Sequence, residues 1–153
     1  MAGLPFTAFN FRVEVTRADS GRQLVDAAFA ECDGLEMSME VKTIREGGNN
    51  DRQIRLAGPA TVGQLTLKRG MTDDSFDLWS WMTDSIADPG LRAETVVVLL
   101  APDRSERARF ALSRCLPLKM KAPPLNGKDG AVAIEELQIA YERIEVRPGK
   151  KTP

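Results

Sequence analysis

The sequence predicts a mainly β fold: a small antiparallel β-barrel or sandwich with one flanking α-helix at about residues 72–87. Three observations predict it. Short segments with an apolar residue at every second position recur along the chain, separated by clusters of Gly, Pro, Asn and Asp. Only one segment, within 72–90, carries a convincing three- and four-residue apolar spacing. A chain of 153 residues is long enough for one domain with its own core and no staples. Residues 1–146 are expected to form that domain, and the polar stretch RPGKKTP (147–153) a flexible tail.

Residues 9–16 (FNFRVEVT) set Phe11, Val13 and Val15 against Asn10, Arg12 and Glu14, a half-buried strand with one wet face. RADSGRQ (17–23) is turn chemistry built on Asp19, Ser20 and Gly21, and LVDAAFAE (24–31) returns, so 9–31 reads as a hairpin. GLEMSMEVKTIRE (34–46) alternates for longer. Leu35, Met37, Met39, Val41 and Thr43 share one face, and Glu36, Ser38, Glu40, Lys42 and Ile44 the other. Gly34 permits a sharp turn at its start. A glycine-asparagine loop follows, then QIRLAGP (53–59) and VGQLTLKRG (62–70), where Gly63 marks a bulge or kink.

The helix has Thr72 as its expected N-cap, with Asp73 and Asp74 in a first turn where the helix dipole favours anions. Phe76, Trp79, Met82 and Ile86 form its expected packing stripe, with Leu78 beside them, and Asp88-Pro89-Gly90 ends it. ETVVVLLA (94–101) is short and β-branched enough for a buried strand. PDRS (102–105) turns the chain, and ERARFALSRCLPLKMK (106–121) returns it, with a break expected near Pro117. APPLNGKDG (122–130) is a loop. In 131–146 two patterns coexist. Ile134, Leu137, Tyr141 and Ile144 fit a helical stripe, while Val132/Ile134, Leu137/Ile139/Tyr141 and Ile144/Val146 fit three strand pieces, and periodicity leaves both open.

The chain contains no histidine, which removes Ser-His-Asp and Cys-His nucleophile arrangements and His-ligated metal sites together. Asp73 and Asp74 are adjacent at a helix start and do not face each other as an acid/base pair. REGGNND (45–51) lacks the GK[ST] ending of a phosphate-binding loop, and no helix follows it. Its oxygens are calcium-compatible but lack the spaced order of an EF-hand. Cys32 and Cys115 have no CxxC spacing and sit in apolar, strand-like contexts, as small buried hydrophobes do. No catalytic, cofactor or metal site is expected, and no enzymatic activity. With 21 basic and 22 acidic residues there is no bulk field toward nucleic acid or an anionic membrane. Arg45, Arg52, Arg55, Lys68 and Arg69 gather near the loop, but Glu40, Glu46 and Asp51 are interleaved, a mixture that suits protein–protein contact. The start of the chain lacks a signal-peptide pattern and no apolar run is long enough to span a bilayer, so assembly in the cytoplasm is expected.

Read together, these segments resemble the tail-tube protein family of contractile phages and contractile injection systems, over roughly residues 9–146. The carriers are FAECDGLEMSMEV (29–41), IREGGNNDRQIRLAGP (44–59), LTLKRGMTDD (65–74) with FDLWSWM (76–82), and LNGKDGAVAIEELQIAYE (125–142). Their order and spacing carry the resemblance more than any one of them. Two positions depart from the family pattern: Leu116-Pro117 stands where a tryptophan-proline pair is common, and Asp129-Gly130 where Asn-Glu is usual.

The resemblance implies a small β-barrel with a helix, assembled as hexameric rings that stack into a hollow tube. A sheath contracts around such a tube, baseplate and spike components meet its end, and cargo can occupy its lumen. Type VI secretion tube proteins share the fold. It further implies that 131–146 is one long strand whose parity slips are bulges. Arg45, Glu46, Gly47, Gly48, Asn49, Asn50, Asp51 and Arg52 would then contact a neighbouring subunit or ring, and Glu36, Ser38, Glu40 and Lys42 would face the lumen. An initiator or adaptor ring joining tube to baseplate or spike is the nearest alternative, and a monomeric ligand-binding β-barrel the more distant one.

Overall fold

The computed structural model describes residues 5–6, 10–45, 47, 53–128, 130 and 132–150. Strands dominate them. In chain order they are β1 (Phe11–Arg17), β2 (Gln23–Ala28), β3 (Glu31–Asp33), β4 (Met37–Arg45), β5 (Gln53–Val62) and β6 (Gln64–Gly70). After the helix α1 (Ser75–Ala87) come β7 (Ala93–Leu100), β8 (Glu106–Lys121), β9 (Ile134–Ala140) and β10 (Arg143–Pro148). The expected β1–β2 hairpin forms, with Val13 opposite Ala27 and Val15 opposite Val25.

The main sheet has the order β2-β1-β7-β8-β9-β6-β3, and β10 also pairs with β8. The sheet does not close into a barrel; it makes a sandwich-like fold around the long strand β8. Leu112 of β8 lies between Thr95 of β7 and Ile144 of β10, so the first half of β8 is paired on both edges. Its second half pairs with β9, from Leu116 opposite Ala140 to Lys121 opposite Glu136. Between the halves, Ser113 and Arg114 together oppose one residue of β7, and Arg114 takes φ 55°. This is a bulge, and bulges bend and twist the strand that carries them. Pro117 does not break the strand: it faces Ile139, and the irregularity falls between Pro117 and Lys119.

That bend explains why 131–146 is two strands rather than one. β9 follows the second half of β8 and β10 the first half, and no straight strand can follow both. The chain turns at Tyr141 and Glu142, where the Glu142 N–H donates to Ser113 O at 3.0 Å. β10 also runs into the stretch expected to be a flexible tail. Arg147 and Pro148 are paired with Arg109 and Ala108, and the Gly149 N–H donates to Arg107 O at 3.1 Å.

The core lies between these strands and the helix. Val13, Val15, Leu65, Leu67, Leu112, Cys115, Ile139 and Trp81 are fully buried in it. Helix α1 begins three residues later than expected, with Asp74 as its N-cap and no side-chain capping bond. The Asp74 carboxylate is taken by the Arg69 guanidinium at 2.6 Å, so it is not free to cap. The packing stripe was also expected on the wrong flank. Ser75, Leu78 and Trp81 are the buried helix residues, while Trp79 and Met82 are half-buried and Phe76 and Ile86 are 67% and 72% exposed. Both stripes satisfy helical spacing, so periodicity alone does not choose between them.

Candidate functional site: an uncovered hairpin arm

β4 and β5 stand apart as a two-stranded sheet that, among the described residues, packs mainly on itself. They continue the shorter β3–β6 pairing outward, so β3 to β6 form one long, interrupted hairpin. β4 is exposed at every position. Isolated two-stranded hairpins are marginal in water, and both outer edges of this one present unpaired backbone groups.

Cross-strand pairing assigns the faces. Met37, Met39 and Val41 lie opposite Val62, Ala60 and Ala57, making the base of one face apolar. The same face ends in Thr43, Arg45, Arg55 and Gln53. The other face is reversed. Ser38 and Thr61 share a hydroxyl bond of 2.7 Å near the base, beside Glu40, while Ile44, Ile54 and Leu56 gather toward the tip. The crossover falls at a register shift between Met39 and Val41, where Gly58 and Pro59 oppose Glu40. A Cβ at Gly58 would lie 2.6 Å from Glu40 O, so this bulge requires glycine. Met37 is 67% exposed and Leu56 46%, on opposite faces and at opposite ends. Each face therefore has an apolar patch that no other described residue covers.

The joint between arm and body is narrow. Gly34 has φ 97°, and a Cβ there would meet Gln64 O at 1.8 Å; at Gly63 it would lie 2.7 Å from Gly34 O. The Gly63 N–H donates to Glu36 O at 3.1 Å, and Leu35 and Val62 pack on the core. The buried Tyr141 hydroxyl donates to Gly34 O at 2.6 Å, with Glu36 O a second acceptor at 3.1 Å, and accepts the Glu36 N–H at 3.2 Å. Tyr141 lacked a distinguishing sequence signal, because the residues it binds are more than a hundred positions away.

Of the loop residues expected at a contact, Arg45 ends β4 and Gly47 is in a turn; Glu46, Gly48, Asn49, Asn50, Asp51 and Arg52 lie outside the described residues. Glu36, Ser38, Glu40 and Lys42 do share one exposed face, Glu36 just before β4. The opposite face is exposed too, so the alternation in 34–46 marks no buried side in the single chain. Across the joint, Arg69 of the Leu-Lys-Arg-Gly segment is buried. It donates to Glu135 at 2.9 Å and to Ser75 at 3.3 Å, and it lies 4.7 Å from the Phe29 ring centroid. This network fixes the helix start against β6 and β9, and β6 is one of the two strands from which the arm extends.

The described residues thus present a projecting, glycine-jointed hairpin with an open apolar patch on each face. Residues 7–145 match the family of the T4-like virus tail tube protein gp19. The chain belongs to that family. It is a tail tube protein or a related component of a contractile injection particle. A chain in the cryo-EM structure of the anti-feeding prophage (AFP) baseplate, six-fold symmetrised, is similar at 26% identity and TM-score 0.79, covering 95% of this chain and 97% of that one. A chain in the extended sheath-tube complex of the extracellular contractile injection system PVC aligns at 17% identity and TM-score 0.78, covering 96% and 94%. Hcp1 from Flavobacterium johnsoniae shares the fold more loosely, at 16% identity and TM-score 0.51 over 90% and 96%. No curated protein matches in sequence. In this tail tube family member the Leu-Lys-Arg-Gly segment belongs to the arm's anchorage.

Proposed function

We propose that this chain is the structural subunit of the inner tube of a contractile injection system or phage tail, assembling as hexameric rings that stack into a hollow conduit driven by sheath contraction. The observation that carries this reading is the arm, whose two faces each bear an apolar patch left open among the described residues. A second and third copy would cover them. Opposite charge at the two ends of the arm, Glu36 and Glu40 near the base and Lys42, Arg45 and Arg55 toward the tip, favours base-to-tip contact between identical chains over base-to-base contact. Such contacts are head-to-tail and close into a ring when the rotation permits. The polar Glu36, Ser38, Glu40 and Lys42 side would then line a water-filled bore. The tube would be a conduit and not a catalyst, assembled in the cytoplasm with sheath, baseplate and spike components around it.

The test is electron microscopy of the untagged protein across a concentration series. Wild-type chain should give six-fold rings or tubes. Met39→Lys and Leu56→Lys should each remain folded yet fail to assemble, and deletion of 46–51 should leave rings that do not stack. A second reading is an adaptor ring between tube and baseplate, favoured by the 26% identity to a chain of the AFP baseplate structure. That reading expects monomers alone and rings once baseplate components are added. Monomers under both conditions would sink both.

A further inference from the structure

We infer that Tyr141 is a positioning residue, a latch that sets the angle at which the β4–β5 arm leaves the body. Tyr141 acts within the single chain, so the latch stands whether or not rings form. Between the last rung of the β3–β6 ladder, Asp33 opposite Thr66, and the first rung of the arm, Met37 opposite Val62, regular pairing stops. Residues 34–36 cross this gap opposite 63–65, joined by the single Gly63 to Glu36 backbone bond. Two glycines meet there, one at positive φ, and neither leaves room for a Cβ. A joint of this kind has backbone freedom in sequence but little intrinsic stiffness.

The stiffness comes from elsewhere. Tyr141 sits at the turn between β9 and β10, its ring in the core, and its hydroxyl reaches both sides of the joint residue Leu35 by bonding Gly34 O and Glu36 N–H. Those two groups would otherwise lack a ladder partner. One buried hydroxyl therefore ties the arm's first strand to the point where β9 and β10 change partners along β8. The arm's direction is thereby linked to the bend in β8, and both are set before any other chain binds. A surface presented at a fixed angle loses less freedom on docking than one that swings.

Tyr141→Phe keeps the ring and the core packing and deletes only the hydroxyl, so the variant is expected to fold. The experiment is amide hydrogen exchange on the full chain at a concentration where it is monomeric. Losing two bonds to a buried hydroxyl should speed exchange in β4 and β5 and at 34–36 by about tenfold, with β1, β7 and β9 unchanged. In assembling conditions, the concentration needed for rings should rise by a similar factor, about tenfold, because the docking pose is less populated. Unchanged exchange in the arm would overturn the latch. So would a uniform increase across all strands, which marks Tyr141 as an ordinary core residue. If wild-type chain forms no rings, the ring reading fails while the exchange result still decides the latch.

Discussion

Arg69 and Glu135 form an ion pair at 2.9 Å with both side chains almost wholly excluded from solvent. Ser75 donates its hydroxyl to the same Glu135 oxygen at 2.6 Å, and Asp74 accepts from Arg69 at the rim. The second Glu135 oxygen has no partner among the described residues. Such a pair is costly to desolvate, and its worth lies in fixing one arrangement of β6, β9 and the helix start.

Removing one member should therefore hurt more than removing both. Arg69→Met leaves the buried Glu135 carboxylate without its cation and is expected to cost about 3–5 kcal/mol, whereas Glu135→Leu leaves the guanidinium with Asp74 at the rim and is expected to cost less. The double variant Arg69→Met with Glu135→Leu should cost clearly less than the two singles summed. Denaturant unfolding of the four proteins measures this, and additive losses would show that the pair does not act as a unit.

The helix offers a direct comparison of its two apolar stripes. Leu78→Ala empties a fully buried site and should lower stability by about 2–5 kcal/mol. Phe76→Ala, on the exposed flank, should stay within about 0.5 kcal/mol in the monomer. Equal losses would mean that the outer stripe is covered even in the isolated chain.

Acid should weaken the fold through at least two carboxylates. Burial would raise Asp74, but bonds from Arg69 and Thr72 outweigh it and hold the group below its ordinary value of 3.8. Burial also opposes the shift at Glu106, where the Lys150 N–H and the Arg109 guanidinium nevertheless hold the carboxyl below 4.5. Folded values below unfolded ones mean that the unfolded chain binds more protons. Stability is then full above about pH 5 and declines as the pH falls through the carboxylate range. Asp74→Asn and Glu106→Gln should each flatten the acid limb of a stability–pH profile measured by thermal unfolding.

Both thiols should be slow to react in the native chain. Burial pushes Cys32 and Cys115 up to about 11, and Cys115 is fully enclosed. Alkylation at pH 8 should be far slower than for an unfolded cysteine, and Cys115 should react only on unfolding. Rapid labelling of Cys115 in folded protein would place it outside the core.

Much of the fold was legible because each strand carries its own period-two pattern. Val13 and Val15 on β1, and Leu65 and Leu67 on β6, are buried as their alternation predicts. What escaped depends on partners distant in sequence. The Ser75–Leu78–Trp81 face was hidden because a serine and a tryptophan do not stand out beside Phe76 and Ile86, and burial was decided by β2 and β8. The split at Tyr141 followed from the bulge at Arg114, which no local pattern announces. Met37, Met39 and Val41 alternate like core residues and yet lie open. Their alternation marks an apolar surface that no other described residue covers.

Strand β8 has a mechanical consequence. It is sixteen residues long and belongs to both halves of the sandwich, paired with β7 and β10 at one end and β9 at the other. A force that tries to slide one half past the other must stretch covalent backbone as well as break hydrogen bonds. Such a load would pass through one continuous main chain shared by both halves of the sandwich.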